Sequence, residues 1–408
     1  MIRRPATILA LLTALNLLNY LDRLVVAAVL RPLSRELGLS NFVAGSLATV
    51  FLVGYFLTSP IFGALADRGP RKGLIALGVV VWSAATFASG LAVGALTLIA
   101  ARALVGVGEA SYATLAPTII DDAAPPEKKG RWLAIFYVAT PIGGALGYLV
   151  GGFILTRWGW RHAFYVAGGP GVILAGLCLL IQEPVRKKLA EKASVLASVA
   201  RLWTHRLYRR GVLGYCAYTF AVGGFSFWAP TFLQDRYGLA EGDANFRFGL
   251  VTVVGGALGT VLGGVWSDRW VRARGAQTDD RATARINLRI CAISSAVSAP
   301  LALVVFLAPS ANAFFVAVTF CEVALFVCTS PINAVILRSV PPEARASAMA
   351  LCIFGIHVLG DLWSPPLIGA LADRMPMSRA MMLIPLAIAV SAVVWLARRP
   401  TREEEVAH

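Results

Sequence analysis

Apolar residues in this chain run in long blocks and do not alternate with polar ones. Twelve blocks stand out, at roughly 6–30, 41–66, 72–95, 97–120, 131–156, 161–181, 209–234, 245–267, 284–308, 311–337, 346–372 and 378–397. Residues 79–101 and 290–320 carry no charged side chain at all. A helix needs about 20 apolar residues to cross the hydrocarbon core of a bilayer, so each block predicts one spanning helix. The first block is too long for a signal-peptide core, is followed by no small-residue cleavage site, and contains Asp22; it predicts a retained helix. The expected fold class is an all-α membrane protein with twelve transmembrane helices.

Composition agrees. Only 14% of the 408 residues are charged, against about a quarter in a soluble chain, and mean hydropathy is +0.71. The net charge of +15 would suit nucleic acid, but its distribution suits topology better. With the N-terminus inside, 27 Lys and Arg fall in inner loops and termini and 8 in outer loops. Excess positive charge inside places both termini in the cytoplasm, in a cell inner membrane. The basic connector 182–210 would lie against anionic headgroups. Membrane lipids and an amphipathic substrate are then the expected partners of a monomer, with no nucleic acid. The six cysteines all sit in apolar blocks without a Cys-x-x-Cys pair, which implies neither a disulfide framework nor a metal. No His-Glu-x-x-His, phosphate loop or nucleophile elbow occurs, which argues against an enzyme. No cofactor is expected beyond protons as a coupling ion.

Two halves are legible. Six spans (1–181) precede the longest polar connector (182–208), which predicts a linker with a surface helix near 187–203; six spans (209–397) and a tail (398–408) follow. Gly63-Ala-Leu-Ala-Asp67-Arg68 ends the second block and Gly264-Val-Trp-Ser-Asp268-Arg269 ends the eighth. Pro125-Pro-Glu127 and Pro341-Pro-Glu343 precede the fifth and eleventh. Parallel six-helix repeats are a transporter plan, with the binding site near mid-membrane at their interface. Gly143-Gly-Ala-Leu-Gly147 in the fifth block is repeated as Gly255-Gly-Ala-Leu-Gly259 in the eighth. Such faces predict either tight packing within each half or a direct contact of the two helices.

The candidate chemistry lies in charges inside the spans. Asp22 and Arg23 in the first and Arg102 and Glu109 in the fourth each cost at least ~3 kcal/mol near a helix centre, and such groups survive by pairing or by lining a wet path. At ~1.5 Å rise per residue the four lie at comparable depths, in the outer half or middle of the membrane. Arg102 and Glu109, seven apart, share a face, whereas Asp22 and Arg23 diverge by about 100°, so at least one must reach another helix. The four charges sum to zero, and protonating a carboxylate frees an arginine. A static lock between the two helices is the alternative. Glu322, His357 and Asp361 lie in the tenth and eleventh spans; His357 and Asp361, four apart, form either a plain ion pair or a second titrating or headgroup site. Aromatics crowd the seventh span, where Tyr218, Phe225 and Trp228 are candidate cavity residues, as is Tyr137 on the fifth. The loop acids Asp67 and Asp268, beside Arg68 and Arg269, either accept backbone donors from a neighbouring helix N-terminus or sit in solvated turns.

These residues resemble the major facilitator superfamily. Gly63-Ala-Leu-Ala-Asp67-Arg68-Gly-Pro-Arg71-Lys72 is similar to its signature between helices two and three, with one residue transposed around Pro70. Arg102 with Gly106 and Gly108 is similar to its fourth-helix signature. Closer still is the resemblance to the Spinster family of lipid transporters. It is carried by Asn19-Tyr20-Leu-Asp22-Arg23, by Gly106-Val-Gly-Glu109-Ala-Ser111-Tyr112-Ala-Thr-Leu-Ala-Pro117, by Phe227-Trp228-Ala-Pro230, and by His357-Val-Leu-Gly-Asp361 with Ser364-Pro365. The resemblance implies the major facilitator fold, two pseudo-symmetric six-helix halves. It implies proton-linked transport through Asp22, Arg23 and Glu109. Arg102, on the face of Glu109, joins them as a proton-coupling candidate; Asp67, Arg68, Arg71, Asp268 and Arg269 are the gating candidates, and Asn19, Tyr20, Ser111 and Tyr112 are further candidates for substrate contact. Short loops and tails make this a bacterial-type member. The expected activity is proton-coupled transport, by alternating access, of an amphipathic lipid such as a lysophospholipid or similar single-chain species. Drug/proton antiport and passive lipid scrambling are the alternatives.

Overall fold

The structure, a computed structural model, describes residue 2 and residues 4–125, 128–183 and 201–397, without the side chains of Asp67, Arg68, Gly130, Glu343 and Ala346. The expected surface helix is thereby outside the described residues as far as position 200; residues 201–204 are helical, and the tail 398–408 is also outside. Among the described residues, twelve helices are long and apolar enough to cross a membrane, one for each apolar block. They are α1 Pro5–Glu36, α2 Asn41–Arg68, α3 Arg71–Gly90, α4 Ala95–Ala123, α5 Lys129–Trp158, α6 Trp160–Leu179, α7 Arg206–Tyr237, α8 Glu241–Ala273 and α9 Asp280–Leu307, followed by the spans α10 Ala311–Arg338, α11 Ser347–Ala372 and α12 Met377–Leu396. Among the described residues there is no strand, only a single parallel bridge between Ile2 and Ile181 that ties the start of the chain to the end of α6. Large apolar side chains such as Leu57, Leu96, Ile173 and Val261 point outward, as a hydrocarbon solvent demands.

The last three spans are not continuous. Each is interrupted a few residues before a proline: α10 at Val327–Cys328 before Pro331, α11 at Leu362–Trp363 before Pro365 and Pro366, and α12 at Met381–Met382 before Pro385. Proline has no N–H to give the carbonyl four residues back, and its ring crowds that carbonyl. One freed group finds its partner on another helix. Leu362 O, which Pro366 cannot engage, accepts from Thr49 Oγ1 of α2 at 2.6 Å. Just before the interruption in α11, His357–Asp361 widen into a π-helical turn, and Thr219 Oγ1 of α7 donates to Ile356 O at 2.9 Å.

In the first half α1 packs along α5, α2 along α4, and α3 against α4 and α6. In the second, α9 lies against α10 and α12. The glycine faces of α5 and α8 serve these contacts. A Cβ on Gly147 would stand 2.7 Å from Leu21 O of α1, and one on Gly259 would stand 2.5 Å from Val323 O of α10. The direct meeting of those two faces is therefore corrected. Helices α5 and α8 do touch, through other positions: a Cβ on Gly152 would meet that of Asn245 at 2.7 Å, and one on Gly249 that of Tyr148 at 3.2 Å.

By contact, the described residues sort into two compact units. One lies within Met1–Glu191, Gly224–Val253 and Leu362–Met381, the other within Lys192–Gly223, Val254–Asp361 and Met382–His408. The division cuts through α7, α8, α11 and α12, whose ends nearest residues 237, 241, 372 and 377 pack with the first six helices.

Candidate functional site

Four ionisable side chains between α1 and α4 form a buried cluster in the first unit. Adjacent residues on α1 point about 100° apart, so Asp22 and Arg23 take different partners. Arg23 Nε donates to Glu109 Oε2 at 2.8 Å, and Arg102 Nη1 stands 3.5 Å from Asp22 Oδ1. Arg102 and Glu109 are separated by about 10 Å along α4. The two long arginine arms bridge that interval, so each acid meets the arginine of the other helix. Arg102 and Glu109 share a face of α4, yet they pair across to α1. Asp22 and Glu109 have no exposed side-chain area, Arg102 has 3%, and Arg23 keeps 20%.

The surroundings of the two pairs differ. Asp22 Oδ2 accepts from Thr86 Oγ1 of α3 at 2.6 Å, which joins a third helix to the cluster. The Arg23 guanidinium lies 4.8 Å from the ring centre of Tyr20, 4.9 Å from Phe51 and 5.6 Å from Tyr55. Arg102 lies 5.6 Å from the same Phe51 ring, so that both cations border one aromatic side chain. A guanidinium over aromatic faces gains about 0.5–2 kcal/mol, more when desolvated. Among the described residues, Asp22 Oδ1 and Glu109 Oε1 accept no hydrogen bond, so each carboxylate keeps an oxygen with lone pairs open to a proton. The sequence pattern alone does not single out Thr86, Phe51 and Tyr55. A hydroxyl within the uncharged stretch 79–101 and aromatics on the second block were their signals.

The remaining candidates divide. Asn19 is buried on α1, and Tyr20 lies half-buried beneath Arg23. Asn16, one turn earlier, donates to Phe136 O at 2.9 Å and was missed as well. Ser111 Oγ donates to Leu74 O at 2.6 Å and Tyr112 Oη to Leu12 O, so both hydroxyls join helices. Tyr137 is exposed. Phe225 packs edge-on against Phe248, and Trp228 Nε1 donates to Pro365 O at 2.9 Å.

In the second unit, Tyr218 is buried against Tyr215 and Trp395. Glu322 is buried on α10 facing α8, where a Cβ on Gly255 would stand 2.9 Å from its own. His357 Nδ1 and Asp361 Oδ2 are 2.9 Å apart across the π turn, the pair that their spacing predicts.

Of the gating candidates, Asp67 and Arg68 have side chains outside the described residues. Arg71 is buried and clamps the loop: its Nη1 meets Asp122 Oδ2 at 2.7 Å and Thr118 Oγ1 at 2.9 Å, with Glu183 Oε2 3.5 Å from its Nε. Asp268 and Arg269 are exposed, and the Asp268 carbonyl accepts from Arg272 Nε at 3.2 Å. The capping geometry expected of such acids is present at Asp373. Its two carboxylate oxygens accept the Asn41 and Phe42 N–H groups at 2.8 and 2.9 Å.

Comparison with known proteins gives this arrangement its context. The sequence profile of the Major Facilitator Superfamily matches residues 12–360. Protein spinster of Drosophila melanogaster is 34% identical over 88% of this chain, which spans 60% of that protein's length. Probable sphingolipid transporter spinster homolog 1 of Arabidopsis thaliana is 30% identical over 96% of this chain and 88% of its own. Among solved structures, a bacterial homologue of the human lysosomal transporter Spinster, in an inward-facing and occupied conformation, superposes with a TM-score of 0.81. That match covers 97% of this chain and 95% of the other at 22% identity, and establishes likeness of fold. Twelve spans, crossed ion pairs between α1 and α4, and these relatives agree: the chain belongs to the Major Facilitator Superfamily and, within it, to the Spinster family of transporters.

Proposed function

We propose that this transporter is proton-coupled and moves an amphipathic lipid, a lysophospholipid or similar single-chain species, by alternating access. The crossed pairs Asp22–Arg102 and Glu109–Arg23 carry the reading. A buried ion pair is weak evidence for stability, since desolvation offsets much of the attraction. Two such pairs in mid-membrane are better understood as working parts. A proton on Glu109 cancels the charge that fixes Arg23. The guanidinium is then held by Tyr20, Phe51 and Tyr55 alone, and is free to take a phosphate oxygen of the substrate. Loss of the proton restores the pair and releases the headgroup. A proton on Asp22 frees Arg102 in the same way, with Thr86 keeping the acid in place.

Both termini are assigned to the cytoplasmic side of a cell inner membrane by the excess of Lys and Arg in the corresponding loops. The relative named as a probable sphingolipid transporter supports a lipid substrate. The test is uptake of a fluorescent lysophospholipid into proteoliposomes under an imposed pH gradient. Glu109→Gln should abolish gradient-driven uptake while the protein stays folded. Gradient-driven uptake by that variant at the wild-type rate refutes the role of Glu109. Accumulation of lipophilic cations in place of lipid would assign drug/proton antiport, and gradient-independent equilibration of lipid would assign scrambling.

A further inference from the structure

The hexapeptide Gly-Ala-Leu-Ala-Asp-Arg occurs twice, at 63–68 closing α2 and at 369–374 closing α11. The second copy is docked. Asp373 accepts from Asn41 N and Phe42 N, the first two residues of α2, whose N–H groups have no partner inside their own helix. Those groups carry the positive end of the helix dipole, which suits a carboxylate. Gly369, one turn earlier, is flush with α2: a Cβ there would stand 2.2 Å from Asn41 O. The seam continues through Gly45, whose added Cβ would stand 2.3 Å from Pro365 O, to the Thr49–Leu362 bond. Positions 41, 45 and 49 thus meet 369, 365 and 362 at helical spacing. Two further bonds lie at this end of the helices. Arg31 Nη2 pairs with Asp235 Oδ1 at 2.8 Å, joining α1 to α7, and Asn245 Nδ2 donates to Ala28 O at 2.9 Å, joining α8 to α1.

We propose that the copy at 369–374 is a latch: Asp373 on the N-terminus of α2 holds this end of the transporter shut, and it must let go for the end to open. The inference rests on the alternating-access reading. Asp373 and Phe42 are solvent-exposed and Asn41 is half-buried, which keeps the bond weak enough to release. Glycine at 369 lets α11 come close enough for a short carboxylate to reach both N–H groups.

The experiment uses the full-length protein with its six buried cysteines replaced and spin labels at exposed Arg35 and Arg379, reconstituted in nanodiscs. Asp373→Asn should raise the ratio of long to short label distances about tenfold, the scale of losing one charge-assisted bond. A second variant leaves the carboxylate untouched. Asn41→Pro removes one of the two donors at the first helical position, which proline tolerates, and should shift the ratio in the same direction by a smaller factor. In the double variant the two shifts should be less than additive, because both act through one contact. Asp373→Glu should recover part of the short-distance population. Wild-type distance distributions in both folded single variants overturn the latch, as do fully additive shifts. Lipid uptake is measured in parallel on wild type: its absence would overturn the transport reading, while the distance ratios still decide the latch.

Discussion

The two buried pairs should respond unequally when their acids are neutralised. Asp22→Asn removes the negative charge beside Arg102, whose side chain is only 3% exposed. The amide oxygen can still accept from Thr86, but its N–H groups then face a guanidinium that is itself all donor. Stranding a buried charge in this way costs about 3–5 kcal/mol. Glu109→Gln is milder. Gln keeps an oxygen for Arg23 Nε, so what is lost is the charge assistance, roughly half of a bond of about 1.5–3 kcal/mol. Arg23 also keeps its 20% exposure and three aromatic faces. Asp22→Asn should therefore be the more damaging by about 2 kcal/mol, and Asp22→Asn with Arg102→Leu should recover most of the loss, since an apolar replacement of a whole buried pair is close to neutral. The assay is the thermal unfolding midpoint in one detergent at one heating rate, because unfolding of such a protein is irreversible and scan-rate dependent. An equal or larger loss in Glu109→Gln would refute the reasoning, as would a double variant no more stable than Asp22→Asn.

Two further outcomes are expected. Gly147→Leu should disrupt the α1–α5 contact and Gly259→Leu the α8–α10 contact, each lowering the yield of monodisperse protein in size-exclusion chromatography, because the added side chain meets backbone at 2.7 and 2.5 Å; wild-type yield from either would show that the helices part without cost. Zwitterionic single-chain lipids should bind more tightly than anionic ones of equal chain length, because residues 311–337 and 346–372 carry the acids Glu322 and Asp361 and no Lys or Arg; Asp361→Asn should narrow the difference in a ligand-induced thermal-shift series, and an anionic preference in wild type would exclude these acids as a headgroup seat.

The twelve spans were legible because a bilayer leaves little choice: about 20 apolar residues must be helical to satisfy their own backbone, whatever their neighbours. The cluster of Asp22, Arg23, Arg102 and Glu109 was legible for the same reason, since charge in hydrocarbon is conspicuous. Helix rise set their depths, and divergence of adjacent side chains on α1 required a cross-helix partner. Which acid meets which arginine was not legible. It depends on how α1 and α4 are rotated against each other, and that is set by packing along α5, α2 and α3. Glycine spacing in α5 and α8 announced close approach but not the partner, because a bare helix face accepts any backbone that fits. Proline shows the limit most sharply. Pro60, Pro117, Pro141, Pro230 and Pro300 lie inside unbroken helices, whereas Pro331, Pro365 and Pro385 come just after interruptions. The residue removes the same N–H each time. What the freed carbonyl accepts in its place is set by its neighbours: Leu362 O takes Thr49 Oγ1 at the break in α11, and Ser226 O takes Tyr148 Oη inside unbroken α7, and only the assembled helices bring such donors within reach.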